Sequence, residues 1–345
     1  MGQARMQAAV LLGTKHLELR DIPVPDISDD EVLVKVRAAT TCGTDVKTYR
    51  RGHPKFPPPF VFGHEFGGDI TAVGKNVKGF STGMRVTANV FAECGECFFC
   101  NKGQGNLCEN LEYNFGAFAE YHRIPARIVI KTLFEIPKNI SYAQAGILEP
   151  LVTVVHGQEL LKIGKGDTLA VIGAGGPVSL LHIQMAKLAG AEQIIAIGHS
   201  DQRLAYAKDL GADIIINAKK EDPGEIIQDL TSGYGVDNVI ECAGNQKAWE
   251  SAVSMVRRGG KVLWFGGLPS GTIVGLDAVR VHYGEITLLN THGGTIKDAK
   301  NALNLISSGQ INTQKLISLE MPLSQIQEAI EMMIAGKAVK VSILP

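Results

Sequence analysis

The second half of the chain alternates short apolar runs with segments of helical periodicity, and this alternation limits the available folds most strongly. The apolar runs predict strands at 168–172, 193–197, 214–216, 236–241 and 261–265. The segments between them predict helices at 178–188, 203–210, 225–230 and 249–257. Strands that alternate with helices form a parallel sheet with helices on both faces. We therefore predict an α/β fold that contains a doubly wound parallel sheet.

A glycine-rich turn, Gly173-Ala174-Gly175-Gly176-Pro177-Val178, joins the first of these strands to its helix. Gly173 permits a tight turn, and Gly175 lets the backbone approach a pyrophosphate held at the helix N-terminus. Val178 replaces the third glycine of the usual fingerprint, so an ordinary turn of another α/β fold is the alternative. The strand–turn–helix context favours a dinucleotide site.

The end of the second predicted strand bears on the choice of cofactor. In NAD-binding sheets an acidic residue about 20 residues beyond the glycines binds the ribose 2′-hydroxyl. Here the strand ends in Gly198-His199-Ser200, and Asp201 follows only after the turn has begun. These residues, with Arg203 nearby, suit a 2′-phosphate, so the sequence favours NADP(H). NAD(H) is the alternative if Asp201 reaches back or if both cofactors are accepted.

Four cysteines lie close together in the first half of the chain, spaced Cys94-x2-Cys97-x2-Cys100-x7-Cys108. The surrounding region is rich in Gly and Pro, and we predict it to be mostly β, with no helix of ordinary length. A disulfide framework would require secretion, but no signal peptide is predicted, so we expect a cytoplasmic chain with reduced thiols. Four thiolates at this spacing predict a closed structural zinc site.

A second group of candidate ligands is dispersed along the sequence and consists of Cys42, His64, Glu65 and Glu149. Catalytic zinc sites use about three protein ligands and keep one position open for water or substrate. A thiolate, an imidazole and a carboxylate suit such a site. Each residue taken alone has an ordinary alternative, since Cys42 could be a small buried residue and His64 a loop histidine.

The charge balance limits the classes of partner. Lysine and arginine total 34 against 35 acidic residues, which gives a formal net charge of −1. A nucleic-acid or anionic-membrane binder would carry a basic surface. No apolar run approaches the roughly 20 residues of a membrane-spanning helix. We therefore expect a small-molecule partner, with neither nucleic acid nor membrane.

Several motifs occur in the order found in one known family. They are Cys42-Gly43-Thr44-Asp45, Gly63-His64-Glu65-Phe66-Gly67-Gly68 with Gly74 and Val77, the four-cysteine segment, Phe118-Ala119-Glu120-Tyr121, and Glu149-Pro150. Over essentially its whole length the chain resembles the zinc-containing medium-chain alcohol dehydrogenases. The resemblance implies a GroES-like, mostly β catalytic domain (1–151 and 290–345, with a zinc lobe at about 93–109) split by a Rossmann domain (152–289). It also implies an active site in the cleft between the two domains.

The same resemblance implies roles for individual residues. Cys42 and His64 would be catalytic-zinc ligands, and Glu65 a ligand that exchanges with water. Glu149 resembles the branch with sorbitol, L-threonine and sugar-alcohol-phosphate dehydrogenases, whereas simple alcohol dehydrogenases tend to have cysteine there. Thr44 would relay the substrate proton. The expected cofactor contacts, besides the glycine-rich turn and the segment from Gly198 to Arg203, are Thr153, Gly266, Leu268 and Asn290.

Two departures from the family pattern stand out. Val178 replaces the third glycine, which bears on helix–cofactor packing, and Lys47 stands where many relatives have a histidine, which bears on the outer end of the proton relay.

We predict a zinc-dependent oxidoreductase that transfers hydride between NAD(P) and a secondary alcohol, with a polyol or sugar alcohol as substrate and two zinc ions per chain. L-Threonine and sugar-alcohol phosphates are the alternative substrates. A zinc-free quinone reductase would lack both ligand sets, and a non-catalytic zinc-binding relative would not need Thr44 together with the dispersed ligands. A zinc-ribbon interaction module does not fit the strand–helix alternation downstream. The resemblance suggests a homotetramer or a dimer.

Overall fold

The computed structural model describes residues 3–53 and 55–345. The chain divides into two compact units, which we call the first and the second unit. The first unit comprises Met1–Val152, Gly294–Gly309 and Thr313–Pro345, and the second comprises Thr153–Gly293 and Gln310–Asn312. The first unit is therefore assembled from segments on both sides of the second.

The strands of the described residues are numbered in chain order. They are β1 (Arg5–Gly13), β2 (His16–Pro23), β3 (Val32–Thr40), β4 (Phe60–Val61), β5 (Phe66–Val73), β6 (Arg85–Ala88), β7 (Phe91–Ala92), β8 (Glu112–Tyr113), β9 (Tyr121–Ile124), β10 (Leu133–Glu135), β11 (Thr168–Ile172), β12 (Gln193–Gly198), β13 (Ile214–Asn217), β14 (Val236–Glu241), β15 (Val256–Trp264), β16 (Thr287–Asn290), β17 (Ile317–Pro322) and β18 (Lys340–Leu344).

The helices are numbered in the same way. They are α1 (Gly43–Arg51), α2 (Phe98–Asn101), α3 (Ala126–Lys131), α4 (Tyr142–Gly146), α5 (Leu148–Leu161), α6 (Pro177–Ala189), α7 (Asp201–Asp209), α8 (Pro223–Leu230), α9 (Gln246–Met255), α10 (Ala278–Tyr283), α11 (Ile296–Ser307) and α12 (Ile326–Ile334). Short 3₁₀ turns lie at Gly105–Leu107, Gln314–Leu316 and Leu323–Gln325. Within the described part of the chain, no helix is long and apolar enough to cross a membrane.

Strand β3 organises the first unit, because it pairs antiparallel with β5, β9 and β18. Its residues Val32, Val34 and Val36 are buried at alternate positions, as expected for a strand with one face on a core. The larger sheet has the order β10-β6-β5-β3-β18-β17, with β9 on β3, and a smaller sheet has the order β2-β1-β4. Strand β18, which follows the second unit in sequence, thereby lies beside the end of β3.

The second unit contains a six-stranded sheet with the order β13-β12-β11-β14-β15-β16. Every pair in it is parallel. This order reverses between β11 and β14, as in doubly wound dinucleotide-binding folds, where ligands bind at the carboxyl ends of the strands beside the reversal. The structure therefore confirms the predicted doubly wound parallel sheet.

Two predicted features differ from the structure. Helix α1 lies in the region where we predicted no helix of ordinary length. Its sequence contains a glycine and two threonines, so its propensity is low, and its N-cap is Cys42 rather than a common capping residue. The helix predicted at 249–257 ends at Met255, because Val256 starts β15 and pairs with Val236.

Candidate active site and metal sites

The four dispersed residues that the sequence singled out lie together in the first unit. Cys42, His64, Glu65 and Glu149 are all buried, and one ligand atom from each lies within 4.8 Å of the others. His64 Nε2 lies 3.9 Å from Glu149 Oε2. The spacing suits a single small cation, and their role as ligands stays a prediction.

Neighbouring elements of the β3 sheet bring these residues together. Cys42 follows the end of β3, and Glu65 directly precedes β5, the antiparallel neighbour of β3. The Thr40 amide donates a hydrogen bond to the Glu65 carbonyl at 3.0 Å, so the pairing continues past the strand ends. Glu149 lies in the first turn of α5, directly after α4, which packs on β3 and β5.

Gly63 sets the position of His64 and Glu65. Its φ is +86°, in the left-handed region that favours glycine. A Cβ at this position would lie 2.6 Å from the Phe118 ring and 2.9 Å from the Phe118 amide nitrogen. The chain can therefore turn into β5 at this point only without a side chain.

Asp45 connects two of the candidate ligands and was not predicted from the sequence. Its Oδ2 accepts a hydrogen bond from the Cys42 amide at 2.8 Å, and its Oδ1 lies 3.1 Å from His64 Nδ1. Cys42 Sγ in turn accepts from the Thr44 amide at 3.4 Å, which completes a capping box at the start of α1. A metal-binding histidine commonly places its second ring nitrogen against a carboxylate in this way. The sequence feature that could have identified Asp45 is an acidic residue three positions after Cys42, the N-cap of α1.

Burial and neighbouring charges shift the pKa values of the clustered side chains. Burial raises the pKa of Cys42, and the Glu65 charge raises it further. Burial likewise raises the pKa of Glu149 to about 7. Burial lowers the pKa of His64, but the Asp45 carboxylate and Cys42 outweigh it and raise that pKa well above its ordinary value. Metal ligands of these types bind in their deprotonated forms, so a dication bound at the cluster would displace any protons that the donors carry. Thiolate, imidazole and carboxylate together fit zinc.

Lys340 is completely buried beside Glu65 and was also missed. Its Nζ donates to the Thr41 carbonyl at 2.7 Å and to Glu65 Oε2. The Thr40 hydroxyl donates to the same carboxylate oxygen. The available signal was a lysine within the apolar run that forms β18, since a lysine in a buried strand needs an acidic partner.

The four-cysteine segment gathers its sulfurs in a separate part of the first unit. Cys100 Sγ lies 3.4 Å from Cys97 Sγ and 3.9 Å from Cys94 Sγ. Tetrahedral zinc with sulfur bonds of about 2.3 Å separates its ligands by about 3.8 Å. Cys108 Sγ accepts hydrogen bonds from the Cys94 and Asn110 amides at 3.2 and 3.3 Å. Hydrogen bonds from the Cys100 and Glu109 amides lower the pKa of Cys97 to about 6. All four thiols are free of disulfides, so the donors fit a closed zinc site.

The glycine-rich turn of the second unit has the backbone that its sequence predicts. Gly173 and Gly175 have φ values of +81° and +100°. A Cβ on Gly173 would lie 2.7 Å from the Ala243 amide nitrogen, and one on Gly175 would lie 2.5 Å from Arg203 Cβ. Gly176 is the N-cap of α6 and Pro177 its first residue, so the helix amides point toward the turn. Val178, at the position of the missing glycine, lies in the first turn of α6.

The end of β12 carries no carboxylate. A Cβ on Gly198 would lie 2.8 Å from the Ala174 carbonyl oxygen, so the backbone leaves no room for a side chain here. His199 is exposed, and Ser200 caps α7 by accepting from the Arg203 amide at 3.4 Å. Asp201 instead binds two residues at and just after the end of β13. Its Oδ1 accepts from Asn217 at 2.6 Å and its Oδ2 from Lys220 at 2.7 Å.

The other predicted residues are placed as follows. Gly266 follows β15, where a Cβ would lie 2.5 Å from the Gly244 amide nitrogen. Asn290 ends β16 and Leu268 lies in the loop after β15, so these positions are near carboxyl ends of parallel strands. Thr153 lies on α5. Thr44 lies in the first turn of α1, with Lys47 one turn on, and both are exposed.

Two family models match the chain. Residues 28–138 match the alcohol dehydrogenase GroES-like domain, and residues 177–308 match the zinc-binding dehydrogenase domain. The first match covers the candidate ligands Cys42, His64 and Glu65 and all four lobe cysteines, and the second begins at the first residue of α6.

Individual relatives agree with these models. The chain is 36% identical to a sorbitol dehydrogenase of Bacillus subtilis, over 99% of this chain and 97% of that protein. It is 35% identical to an L-threonine 3-dehydrogenase of Bacillus velezensis, over 95% of each. A zinc-binding dehydrogenase of Sinorhizobium meliloti, solved with bound NADP, superposes with a TM-score of 0.91 at 32% identity and covers 99% of this chain and 100% of its own. The predicted family, and the GroES-like and Rossmann folds that it implied, are confirmed. The chain belongs to the zinc-dependent alcohol dehydrogenase family and is an NAD(P)-linked oxidoreductase.

Proposed function

We propose that the chain oxidises the secondary alcohol of a polyol or sugar alcohol, and reduces the ketone in reverse, with NADP(H) preferred over NAD(H). One observation carries the proposal, namely the convergence of Cys42, His64, Glu65 and Glu149 in a buried cluster. The glutamate at position 149 supports the branch of sorbitol, L-threonine and sugar-alcohol-phosphate dehydrogenases, and the sorbitol dehydrogenase relative favours a polyol within it. The L-threonine 3-dehydrogenase relative makes L-threonine the first alternative.

The proposed division of labour follows the predicted domains. Residues 1–151 and 290–345 form the catalytic domain, and residues 152–289 bind the dinucleotide. One zinc ion would be held by Cys42, His64 and Glu149, with Glu65 beside it. A second would be held by Cys94, Cys97, Cys100 and Cys108, where all four positions of a tetrahedral ion are taken by protein. Only the first site leaves room for a substrate.

When bound, zinc acidifies a coordinated hydroxyl and the nicotinamide ring accepts hydride. The protein therefore has to hold and orient the substrate and the cofactor, and to exclude water. Asp45 fixes the His64 ring so that Nε2 faces the cluster. The Thr44 hydroxyl, exposed beside Cys42, takes the substrate proton and passes it toward solvent. Burial of the donors keeps competing water from the reacting atoms. The amides at the start of α6 and the turn before it hold the pyrophosphate.

Three observations support the preference for NADP(H). Position 198 cannot carry the carboxylate that binds a ribose 2′-hydroxyl, and both oxygens of Asp201 are already engaged by Asn217 and Lys220. The backbone and Cβ of Arg203 pack against Gly175, so this arginine is a neighbour of the phosphate-binding turn. A guanidinium binds phosphate strongly through charge-assisted hydrogen bonds.

The test is a substrate panel on protein of known zinc content. Secondary alcohols, sugar alcohols, sugar-alcohol phosphates and L-threonine are each assayed with NADP⁺ and NAD⁺ by the absorbance of the reduced cofactor. We expect zinc-dependent oxidation of a sugar alcohol, faster with NADP⁺. Turnover of L-threonine alone, or of the phosphates alone, would replace the polyol by that substrate. No turnover of any alcohol by protein with two zinc ions and bound cofactor would refute the proposed reaction.

We further propose two zinc ions per chain and a homotetramer or dimer, both on family grounds. Metal analysis and light scattering of the purified protein check them. One zinc per chain, or a monomer, would refute the respective statement.

A further inference from the structure

A lysine buried at a metal site requires an explanation. Lys340 has no exposed surface, and its ammonium group lies in the first unit against Glu65, one of the four clustered candidate ligands. A buried ammonium group is costly unless a negative charge and further hydrogen bonds compensate it. Here the Glu65 carboxylate and the Thr41 carbonyl do so.

Counting charges assigns Glu65 to Lys340 rather than to the cation. The Cys42 thiolate and the Glu149 carboxylate together balance a dication, and His64 contributes a neutral donor. Glu65 would add a third negative charge to the cluster. Lys340 supplies a positive charge that balances Glu65, so the dication with Cys42, His64 and Glu149 is already neutral without Glu65 as a permanent ligand. Asp45, which faces His64, leaves one further negative charge in the buried group.

The hydrogen bonds of Glu65 also hold its carboxylate toward Lys340 rather than toward the cation. Lys340 Nζ and the Thr40 hydroxyl both bind Oε2, so this oxygen is withdrawn from the cation. Oε1 is buried and accepts no hydrogen bond within the described residues. It is therefore the oxygen that can approach the cation, and Lys340 holds the carboxylate that carries it. Strand β18 holds Lys340 itself, because the Val341 amide donates to the Thr41 hydroxyl at 2.9 Å next to Cys42.

We propose that Lys340 is a positioning residue that, through its ion pair with Glu65, keeps this carboxylate from closing the fourth coordination position of the catalytic zinc. The substrate hydroxyl then enters that position. The inference rests on the catalytic zinc site proposed above. Without the ammonium group, the unpaired buried carboxylate would take the cation as its partner.

The main variant is Lys340→Met, which keeps the length of the side chain and removes its charge. We expect zinc-free Lys340→Met to have a lower melting temperature than the zinc-free wild type. Zinc should raise the melting temperature of the variant by more than it raises the melting temperature of the wild type. Zinc transfer from the holoenzyme to a chelator should slow on the order of tenfold, the usual size of effects from groups around a metal site. With sugar alcohol, kcat should fall more than KM changes. Lys340→Arg should retain the wild-type behaviour in large part.

Double substitution keeps the test valid if Lys340→Met folds poorly. Lys340→Met combined with Glu65→Gln removes both charges, which a folded core tolerates better than one unpaired charge. Because Lys340 acts only through Glu65, the double variant and Glu65→Gln alone should release zinc at the same rate. Lys75→Met serves as the matched control, since Lys75 pairs with Asp29 on the surface, and it should release zinc as the wild type does.

Two results would overturn the proposal. One is wild-type zinc release by Lys340→Met, and the other is slow release that persists in the double variant. A wild-type chain that holds zinc only in the lobe would instead refute the proposed catalytic site itself. Zinc stoichiometry of the wild type therefore separates failure of the function from failure of this inference.

Discussion

Asp45 illustrates how one side chain can set the chemistry of two others. It holds the Cys42 amide with one oxygen and faces His64 Nδ1 with the other, at 2.8 and 3.1 Å. The position of the thiol and the orientation of the imidazole are therefore not independent. A change at Asp45 reaches the cluster without removing any candidate ligand.

Asp45→Asn tests this coupling. The amide oxygen can still accept from the Cys42 amide, but the negative charge beside His64 is lost. We expect the affinity of the catalytic site for zinc to fall about 10–100-fold, as for other groups around metal sites. Competition against a chromogenic chelator measures it, with the zinc of the lobe as an internal reference. Unchanged affinity would show that Asp45 only caps α1.

Arg203 is the residue that we expect to decide between the two cofactors. Arg203→Ala should lower kcat/KM for NADP⁺ by about 10–100-fold, because a hydrogen bond to a charged group contributes about 1.5–3 kcal/mol. The value for NAD⁺, which lacks the 2′-phosphate, should change by no more than about twofold. Steady-state kinetics with both cofactors measure the effect, and Gln202→Ala, an exposed neighbour, is the control. An equal loss with both cofactors would place Arg203 in packing against Gly175 instead.

At the scale of elements, regular periodicity decided what could be predicted. The strands and helices around the glycine-rich turn were predicted because each is an apolar run or an amphipathic segment bounded by glycine. Helix α1 was missed because a cysteine caps it, and Asp45 was missed with it. Strand β16 was missed because it is short and half-exposed. Local patterns therefore predicted the scaffold better than the turns that support the site.

Gly63 allows an element-scale prediction, since the turn between β4 and β5 depends on it. Gly63→Ala should lower the free energy of unfolding by about 2–5 kcal/mol, because left-handed backbone strain and overpacking against Phe118 add. Gly79 is the matched control, with a φ of +81° and no atom within 4 Å of an added Cβ. Gly79→Ala should cost only about 1–2 kcal/mol. Urea unfolding measures both, and equal losses would mean that Phe118 yields to the new methyl group.

At the scale of the whole molecule, contacts between distant segments could not be predicted from the sequence. His64 and Glu65 stood out because a motif of neighbouring residues marks them. Lys340 did not, because it meets Glu65 across 275 positions of sequence. A lysine in an apolar run predicts an acidic partner but does not identify it. The pairing of β18 with β3 is what brings Lys340 to Glu65.

The two units should share one response to acid. Burial lowers the pKa of His122 in the first unit and of His182 in the second to about 3. An unfolded histidine binds a proton near pH 6.5, so the unfolded state takes up protons that the native state does not, and stability falls as pH falls from 6.5 toward 3. At pH 5 each histidine should cost about 2 kcal/mol relative to pH 8.

His122→Gln and His182→Gln measure this cost. Each variant should gain about 2 kcal/mol on the wild type between pH 8 and pH 5, as read from urea unfolding at both pH values. The double variant should show the sum, because the two sites lie in different units and share no partner. A difference between variant and wild type that does not change with pH would contradict the burial argument.

The position of Lys340 late in the chain also bears on the order in which a ribosome supplies the parts of the site. Cys42, His64, Glu65 and Glu149 are all made before the second unit, and Lys340 comes after it. At 5–20 residues per second, the roughly 190 residues between position 149 and β18 take about 10–40 s to synthesise. During that interval the nascent chain contains all four candidate ligands of the cluster and lacks the ammonium group that balances Glu65. If Lys340 acts as proposed, we expect zinc that enters early to be held more firmly by the growing chain than by the finished protein.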